Sequence, residues 1–201
     1  MSRVGKKIIP IPAGCTIDVT AGERNGFLVT VKGPKGDVLT QEIKAPITVE
    51  VQDGHVHVKR GNDDASSRSL HGLYNRLIEN MLKGVTDGFT KYLFLNGVGY
   101  KAAMKGDGVV LSLGLSHPVE IAPEPGIKIG ILTPQEIQTH GFGKAAATVI
   151  LSVSGVSKEK VGAVAAFIRS KRKVEPYHLY GIRYSDEKVV KKESKSGAKK
   201  K

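Results

Sequence analysis

The sequence predicts an α+β fold made of two tandem, duplicated small domains and a basic C-terminal tail. Each domain is expected to be a mostly antiparallel sheet packed with one main helix. Runs of alternating apolar and polar residues followed by an amphipathic helix occur twice in the 201 residues, with Gly-containing turns between the runs. A length of 201 residues accommodates two small domains, and a hydrophobic content of 40% excludes a fully disordered chain.

The first half begins with short strands. Apolar residues alternate with polar ones in residues 17–21, 27–31, 47–51 and 56–58, and a turn is expected at residues 32–37. Asp53-Gly54 lies between the last two runs. An Asp-Gly pair in that position predicts a hairpin with a type I′ turn, because both central residues of this turn need a positive φ.

A helix closes the first half. Its apolar residues recur at helical spacing and are Leu70, Leu73, Tyr74, Leu77, Ile78, Met81 and Leu82. We expect Ser66 or Ser67 to cap its start and Gly84 to end it. Since this stripe must pack on the strands, any contact with a partner such as RNA must come from the other face, for example from Arg68 or His71.

The second half repeats this order. Alternating strands are predicted around Tyr92 and Phe94 and in residues 109–113, 127–131 and 149–153. A second helix follows, with Ser157 as its cap, with Val161, Val164, Ala165 and Ile168 inward, and with an end before Pro176. The predicted domains are therefore residues 1–83 and 84–175, with the boundary near residues 83–90, followed by an extension at residues 176–201.

The positive charge is concentrated near the C-terminus. The net charge is +12, and residues 169–201 hold 12 basic and 4 acidic residues. A basic tail on a nearly neutral body favours a polyanion such as nucleic acid, because each cation placed on a phosphate releases a counterion. A solvated tail is the alternative, and an anionic membrane surface is less favoured because the tail has no apolar anchors.

Two further sequence features bear on class and location. No apolar run reaches the roughly 18 residues of a membrane-spanning helix, and residues 1–7 have no signal-peptide pattern, so a cytoplasmic protein is expected. Cys15 is the one cysteine, which excludes a disulfide framework, and it is expected to pack as a small apolar side chain.

Residues 97–102 match the dinucleotide-binding pattern G-x-G-x-x-G/A. That pattern binds pyrophosphate where it opens a helix, whereas here a strand-like alternation follows, so a nucleotide site is not expected. Tyr100, Lys101 and Lys105 combine a stacking surface with positive charge, and a plain turn at the end of a strand is the alternative. No catalytic or metal-binding cluster is predicted, and His55 and His57 are expected to face solvent on one strand.

Residues 176–184 place three tyrosines and an arginine between the second helix and the lysine-rich tail. Aromatic rings interleaved with cations suit contacts with bases and phosphates. Alternatively, the tyrosines hold the tail against the second domain, and both interpretations can apply to different rings.

Several motifs in order resemble the family of ribosomal protein six of the large subunit. They are residues 2–7 (SRVGKK), 11–14 (IPAG), 29–36 (VTVKGPKG), 95–102 (LNGVGYKA), 115–119 (LSHPV), 176–177 (PY) and 181–184 (GIRY). The resemblance implies a structural protein without catalysis or cofactor. The resemblance also implies binding to large-subunit rRNA near the stem of the sarcin–ricin loop and the translation-factor site, mainly through the second domain and tail.

The resemblance also implies where RNA is contacted and which partners lie nearby. The expected RNA-binding residues are Gly97, Gly99, Tyr100, Lys101, Lys105, Ser116, His117, Arg169, Lys171, Arg172, Lys173, Tyr177, His178, Tyr180, Arg183, Tyr184, Lys188, Lys191 and Lys192. Neighbouring large-subunit proteins and nearby translation factors are the other expected partners. The location is the cytoplasmic ribosome, and neither membrane binding nor homo-oligomers are expected.

The sequence departs from the family pattern in two places. His178 and Tyr180 occupy positions where the family usually has lysines, so stacking or hydrogen bonding by Tyr180 could replace phosphate contacts. Residues 132–147 form a longer connection than usual, expected to be an extended hairpin or a surface loop at a sheet edge. The alternative function is a non-ribosomal, nucleic-acid-associated enzyme or chaperone that uses the tail as a tether.

Overall fold

The computed structural model describes residues 4–22, 26–34, 36–122, 124–143 and 147–193. These residues form two compact units. Unit 1 holds the described residues up to Phe89 together with Val156–Lys158. Unit 2 holds the described residues among Thr90–Gly155 and Glu159–Lys201. Tail lysines beyond residue 193, which the sequence included in the basic extension, lie outside the described residues.

Unit 1 contains two three-stranded sheets and one helix. The elements are β1 (Ile9–Pro10), β2 (Thr16–Ala21), β3 (Phe27–Lys32), β4 (Val38–Ile43), β5 (Ile47–Gln52), β6 (His55–Arg60) and α1 (Ala65–Thr86). The strand orders are β1-β6-β5 and β2-β3-β4, with antiparallel neighbours throughout. Strand β4 was not predicted from the sequence.

The Asp-Gly hairpin is confirmed. Asp53 and Gly54 have φ values of 50° and 72°, as a type I′ turn requires. The register pairs Gln52 with His55, which directs Val49, Val56 and Val58 into the core. Cys15 packs against the same core as expected, and desolvation raises the pKa of its thiol.

Helix α1 covers this core with the predicted stripe, although its ends differ from the prediction. Its N-cap is Asp64 rather than a serine, and it continues past Gly84 to Thr86. Leu73 is exposed, because the buried face of the helix is displaced from the apolar stripe toward Ser67, His71, Asn75 and Glu79. The assignment of His71 to an RNA-facing surface is wrong: His71 is buried, and its Nε2 lies 2.9 Å from the Val58 carbonyl oxygen.

Unit 2 contains a three-stranded sheet, a four-stranded sheet and two helices. The elements are β7 (Phe89–Asn96), β8 (Lys101–Lys105), β9 (Gly108–Ser112), β10 (Val119–Ile121), β11 (Ile127–Ile131), α2 (Pro134–Thr139), β12 (Val149–Gly155), α3 (Lys158–Ser170) and β13 (Gly181–Tyr184). The strand orders are β10-β9-β8 and β11-β12-β7-β13. The inward residues predicted for α3 are all buried.

The element order confirms a duplicated α+β fold. In each unit a first strand precedes a three-stranded antiparallel meander, a hairpin-forming pair of strands and the main helix. The order β1-β6-β5 in unit 1 corresponds to β7-β12-β11 in unit 2. Unit 2 adds α2 and β13 to this common plan.

The long connection at residues 132–147 joins the antiparallel neighbours β11 and β12 and carries α2. Thr133 and Glu136 form a capping box, and Pro134 begins the helix. The ring of Phe142 packs edge-on against Tyr92 and Phe94, with centroids 5.1 Å away in each case. The segment is therefore an extended hairpin connection with its own short helix and apolar contacts.

Two glycine-to-alanine substitutions, one in α1 and a control in α3, test how closely α1 packs. A Cβ added at Gly84 would overlap the carbonyl oxygen of Val156, so Gly84→Ala should lower the free energy of unfolding by about 1–3 kcal/mol. In α3, a Cβ at Gly162 meets nothing within 4 Å, so Gly162→Ala should raise stability by roughly 0.5–1 kcal/mol. Urea unfolding followed by circular dichroism measures both, and a gain in both variants would contradict the close approach at Gly84.

Candidate nucleic-acid interface

The segment after α3 returns to unit 2 as the edge strand β13. This strand pairs antiparallel with β7 from Gly181–Asn96 to Tyr184–Leu93, and Ile182 is completely buried. The structure thereby corrects the expected extension at residues 176–201, because residues 181–184 belong to the sheet of unit 2. Strand β13 was not predicted from the sequence, because Ile182 and Tyr184 alone give too short an alternation.

Gly181 permits a close approach of two backbone segments. Its φ is 138°, and a Cβ there would lie 2.6 Å from the carbonyl oxygen of Lys173. The amide of Ile182 donates a 2.9 Å hydrogen bond to the carbonyl oxygen of Arg172. The basic segment at residues 171–173 is therefore held along the start of β13.

Some of the expected RNA-binding residues bind other parts of the protein. Arg169 makes an ion pair with Glu187 and donates from Nε to Glu187 Oε2 at 2.9 Å. The amide of Tyr184 donates to the same oxygen at 3.1 Å, and the Arg169 guanidinium lies 5.5 Å from the centre of the Tyr184 ring. The hydrogen bond from Arg169 lowers the pKa of Glu187 and raises that of Arg169 itself.

Arg183 is also engaged within the unit. Its Nη1 donates to the Glu187 carbonyl oxygen at 3.4 Å, and its guanidinium lies 5.2 Å from the centre of the Phe94 ring. Arg169, Arg183 and Tyr184 thus hold the chain after β13 in place. For Tyr184, the alternative in which tyrosines fix the tail to the second domain agrees with these contacts.

A second group of the expected residues faces solvent. It comprises Arg172, Lys173, Tyr177, His178, Tyr180, Lys188, Lys191 and Lys192, all exposed. The amide of Lys192 donates a 3.0 Å hydrogen bond to the carbonyl oxygen of Pro176, so the lysine run returns to the tyrosine-containing turn. Lys171 is half-buried, and its Nζ lies 3.7 Å from the centre of the exposed Phe167 ring.

The loop at residues 97–100 rests on a buried ring. Tyr100 is only 6% exposed, so its predicted role as a stacking surface for RNA is wrong. A Cβ at Gly97 would lie 2.7 Å from this ring and a Cβ at Gly114 would lie 3.6 Å from it. The Tyr100 ring therefore lies beneath two loops and brings them together.

The two loops expose a mixed surface. Val98 is 85% exposed at the tip of one loop, and Leu115, Ser116 and His117 are exposed in the other. Strand β8 starts at Lys101 directly after the first loop, which agrees with the expectation that the glycine motif opens a strand and not a nucleotide-binding helix. Lys101 is exposed beside these loops, whereas the exposed Lys105 is paired with Glu120 at 2.8 Å.

Asn96 connects the loops to the C-terminal turn. It precedes Gly97, pairs with Gly181 across the strands and donates from Nδ2 to the carbonyl oxygen of Leu179 at 3.2 Å. The exposed loops and the turn at residues 175–180 therefore lie at the same end of the β7–β13 pair. Asn96, Glu175 and Glu187 were missed in the sequence because their roles arise from contacts across the sheet and not from a charge or aromatic pattern.

The described residues contain no group of three or more His, Cys, Asp or Glu side chains that could hold a metal ion. His55 is exposed and His57 half-buried on β6. Within the described ranges, no helix combines the length and apolar character needed to cross a membrane.

The model of the ribosomal protein L6 family matches residues 11–88 and 96–185. The large ribosomal subunit protein uL6 of Exiguobacterium sibiricum is 46% identical over 197 residues, which are 98% of this chain and 99% of the relative. The uL6 proteins of Clostridium perfringens SM101 and Fusobacterium nucleatum are 47% and 46% identical, with 98% and 97% of this chain covered and 99% of each relative. The chain belongs to the ribosomal protein L6 family.

Membership in the ribosomal protein L6 family confirms the resemblance inferred from the motifs. The two matched segments correspond to the two repeated parts of the chain and cover the elements from β2 to α1 and from the end of β7 to β13. The chain is therefore a ribosomal protein of the large subunit, and its location is the ribosome.

Tyr100 should act through packing in this ribosomal protein. Tyr100→Ala should lower the free energy of unfolding by about 3–5 kcal/mol, because it leaves a cavity beneath both loops. Tyr100→Phe keeps the ring and should cost less than about 1.5 kcal/mol. Chemical denaturation measures both effects; an alanine variant of wild-type stability would mean that the ring does not support the loops.

The Arg169–Glu187 pair should make stability depend on pH. Because the folded state lowers the pKa of Glu187 from its ordinary 4.5, its stabilisation is present above that value and is lost as pH falls through the lowered pKa. Glu187→Gln should therefore lower the unfolding free energy by about 1–2 kcal/mol at neutral pH. The difference from wild type should shrink as the pH falls below 4.5 and through the lowered pKa, and a difference independent of pH would contradict the charged pair.

Proposed function

We propose that this chain is a structural constituent of the large ribosomal subunit that binds large-subunit rRNA through one end of unit 2. The contact lies near the stem of the sarcin–ricin loop and the translation-factor site, and it stabilises the folded RNA. The protein performs no catalysis. Neighbouring large-subunit proteins are its other partners, translation factors come near it, and it does not form homo-oligomers.

The observation that carries the proposal is the shared position of three exposed segments. Asn96 joins the loop at residues 97–99 to the turn at residues 175–180 through its 3.2 Å hydrogen bond to Leu179. Tyr100 joins the same loop to residues 114–117. Backbone loops, cations and rings are thereby presented together, which suits RNA recognised by shape, phosphate contacts and unpaired bases.

The arrangement of charge supports binding to phosphates. Arg172, Lys173, Lys191 and Lys192 are exposed around the turn, while Arg169 and Arg183 are held by Glu187 within the unit. Exposed cations remain available for phosphate oxygens, and the internal ones fix the backbone that carries them. Binding should therefore be strongly salt-dependent, because each phosphate contact releases counterions.

Substitution of charge is a sharper test than deletion of the tail. A deletion from residue 176 would remove β13 and the buried Ile182, so it would change folding together with binding. The double variant Lys191→Gln/Lys192→Gln keeps the sheet intact. The slope of log affinity against log salt is negative, and this variant should make it less steep by about one unit per lysine. Lys44→Gln/Lys59→Gln in unit 1 is the matched control and should leave the slope unchanged.

The measurement is filter binding to purified bacterial large-subunit rRNA at salt concentrations from about 50 to 200 mM. Wild-type affinity should fall by about 10³- to 10⁵-fold over this range if six to ten phosphates are contacted. Salt-insensitive binding would refute the electrostatic contact. Failure of the wild-type protein to bind this rRNA at the lowest salt concentration would refute the proposed contact.

A further inference from the structure

We propose that the stacked rings of His178 and Tyr180 form a binding site for an unpaired RNA base. The proposal rests on the rRNA binding proposed above and adds the chemical group that this turn receives. The two rings are 5.6 Å apart between centroids and only 23° from parallel. Tyr180 is 41% exposed and His178 is also exposed, so the pair offers aromatic surface that an additional flat ring can cover.

The backbone of the turn holds the two rings in this arrangement. Leu179, between them, adopts φ of 63°, which lets residues two positions apart place their rings side by side. The amide of Glu175 donates to the carbonyl oxygen of Tyr180 at 2.8 Å, and the amide of Leu179 donates to that of Glu175 at 2.9 Å. The hydrogen bond from Asn96 to Leu179 ties the turn to β7.

The Glu175 carboxylate closes the same turn from within. It accepts hydrogen bonds from the amides of Tyr177 at 3.0 Å and His178 at 2.8 Å, and it lies 3.3 Å from Nδ1 of His178. These backbone donors lower the pKa of Glu175, so the carboxylate stays ionised. Because the rings are ordered before RNA arrives, little conformational entropy is lost on stacking.

Cations around the turn select a nucleotide over other flat ligands. Arg172 and Lys173 lie along Gly181 and Ile182, and Lys192 is held beside Pro176. Exposed positive charge next to stacked rings matches a base and its flanking phosphates. The base must be unpaired, in a loop, bulge or single strand, because bases within an RNA helix already stack on their neighbours.

The site is a property of this chain's own residues. Stacking depends weakly on salt, whereas a lysine on a phosphate adds to the salt dependence. Loss of the rings should therefore weaken binding without changing its salt slope, and this separates the site from the surrounding lysines.

The test compares Tyr180→Leu and His178→Leu with Tyr180→Phe in binding to purified bacterial large-subunit rRNA. Each leucine variant should bind about 5- to 150-fold more weakly with an unchanged salt slope, which is the range for loss of one base–aromatic stack. Tyr180→Phe should remain within about twofold of wild type, because it keeps the ring. His55→Leu, an exposed histidine of unit 1, is the control and should bind like wild type.

Cross-linking gives a direct measurement of the contact. Ultraviolet irradiation of the wild-type complex and trypsin cleavage should yield a nucleotide adduct on residues 174–183, which lie between the cleavage sites after Lys173 and Arg183. The adduct should map to His178 or Tyr180. It should disappear in the double variant His178→Leu/Tyr180→Leu.

Different results would overturn the two proposals. Equal losses in Tyr180→Phe and Tyr180→Leu would indicate a hydroxyl contact instead of stacking. Leucine variants with wild-type affinity, while Lys191→Gln/Lys192→Gln still weakens binding, would refute the base site and leave rRNA binding intact. Absence of rRNA binding by the wild-type protein would refute both proposals.

Discussion

The pairing of β13 with β7 is the constraint on which the candidate interface depends. Strand β7 carries the buried Leu93, Phe94 and Leu95, and its polar backbone edge would be open without a further strand. Strand β13 fills that edge and buries Ile182. The strand thereby fixes where the preceding turn and the following lysines leave the sheet. The location of the exposed charge is consequently a result of β-sheet hydrogen bonding and burial.

Acidic residues provide the polar anchors of this basic protein. Glu187 holds Arg169 and the backbone of Tyr184, and Glu175 accepts the amides of its own turn. In unit 1, Glu79 is nearly buried and accepts hydrogen bonds from Lys7 at 2.7 Å and Arg76 at 2.6 Å. The hydrogen bond from Lys7 is the main reason that the pKa of Glu79 is lowered. Ionised carboxylates inside clusters of cations fix the backbone, and the exposed Arg172, Lys173, Lys191 and Lys192 lie outside these clusters.

Unit 2 contains two elements beyond the plan that it shares with unit 1. Strand β13 extends its larger sheet, and the α2 connection places Phe142 on Tyr92 and Phe94. Local signals predicted most of the shared plan: Asp53-Gly54 formed its hairpin, and the stripe of α3 was buried as expected. Strand β13 was missed because four residues among many charges show too little alternation. Helix α2 was missed because six residues are too few for a helical period.

By itself, the sequence determined the α+β class, the duplication, the family and the segment that carries the positive charge. These properties depend on local periodicity, composition and motif order, all of which can be read along the chain. Only the tertiary structure decided which of the basic and aromatic side chains are exposed and which are buried or paired. It buried Tyr100 beneath two loops, engaged Arg169 and Tyr184 with Glu187, and left His178 and Tyr180 stacked at the surface. The physical reason is that exposure depends on partners distant in sequence, and a buried tyrosine and an exposed one are identical in the sequence.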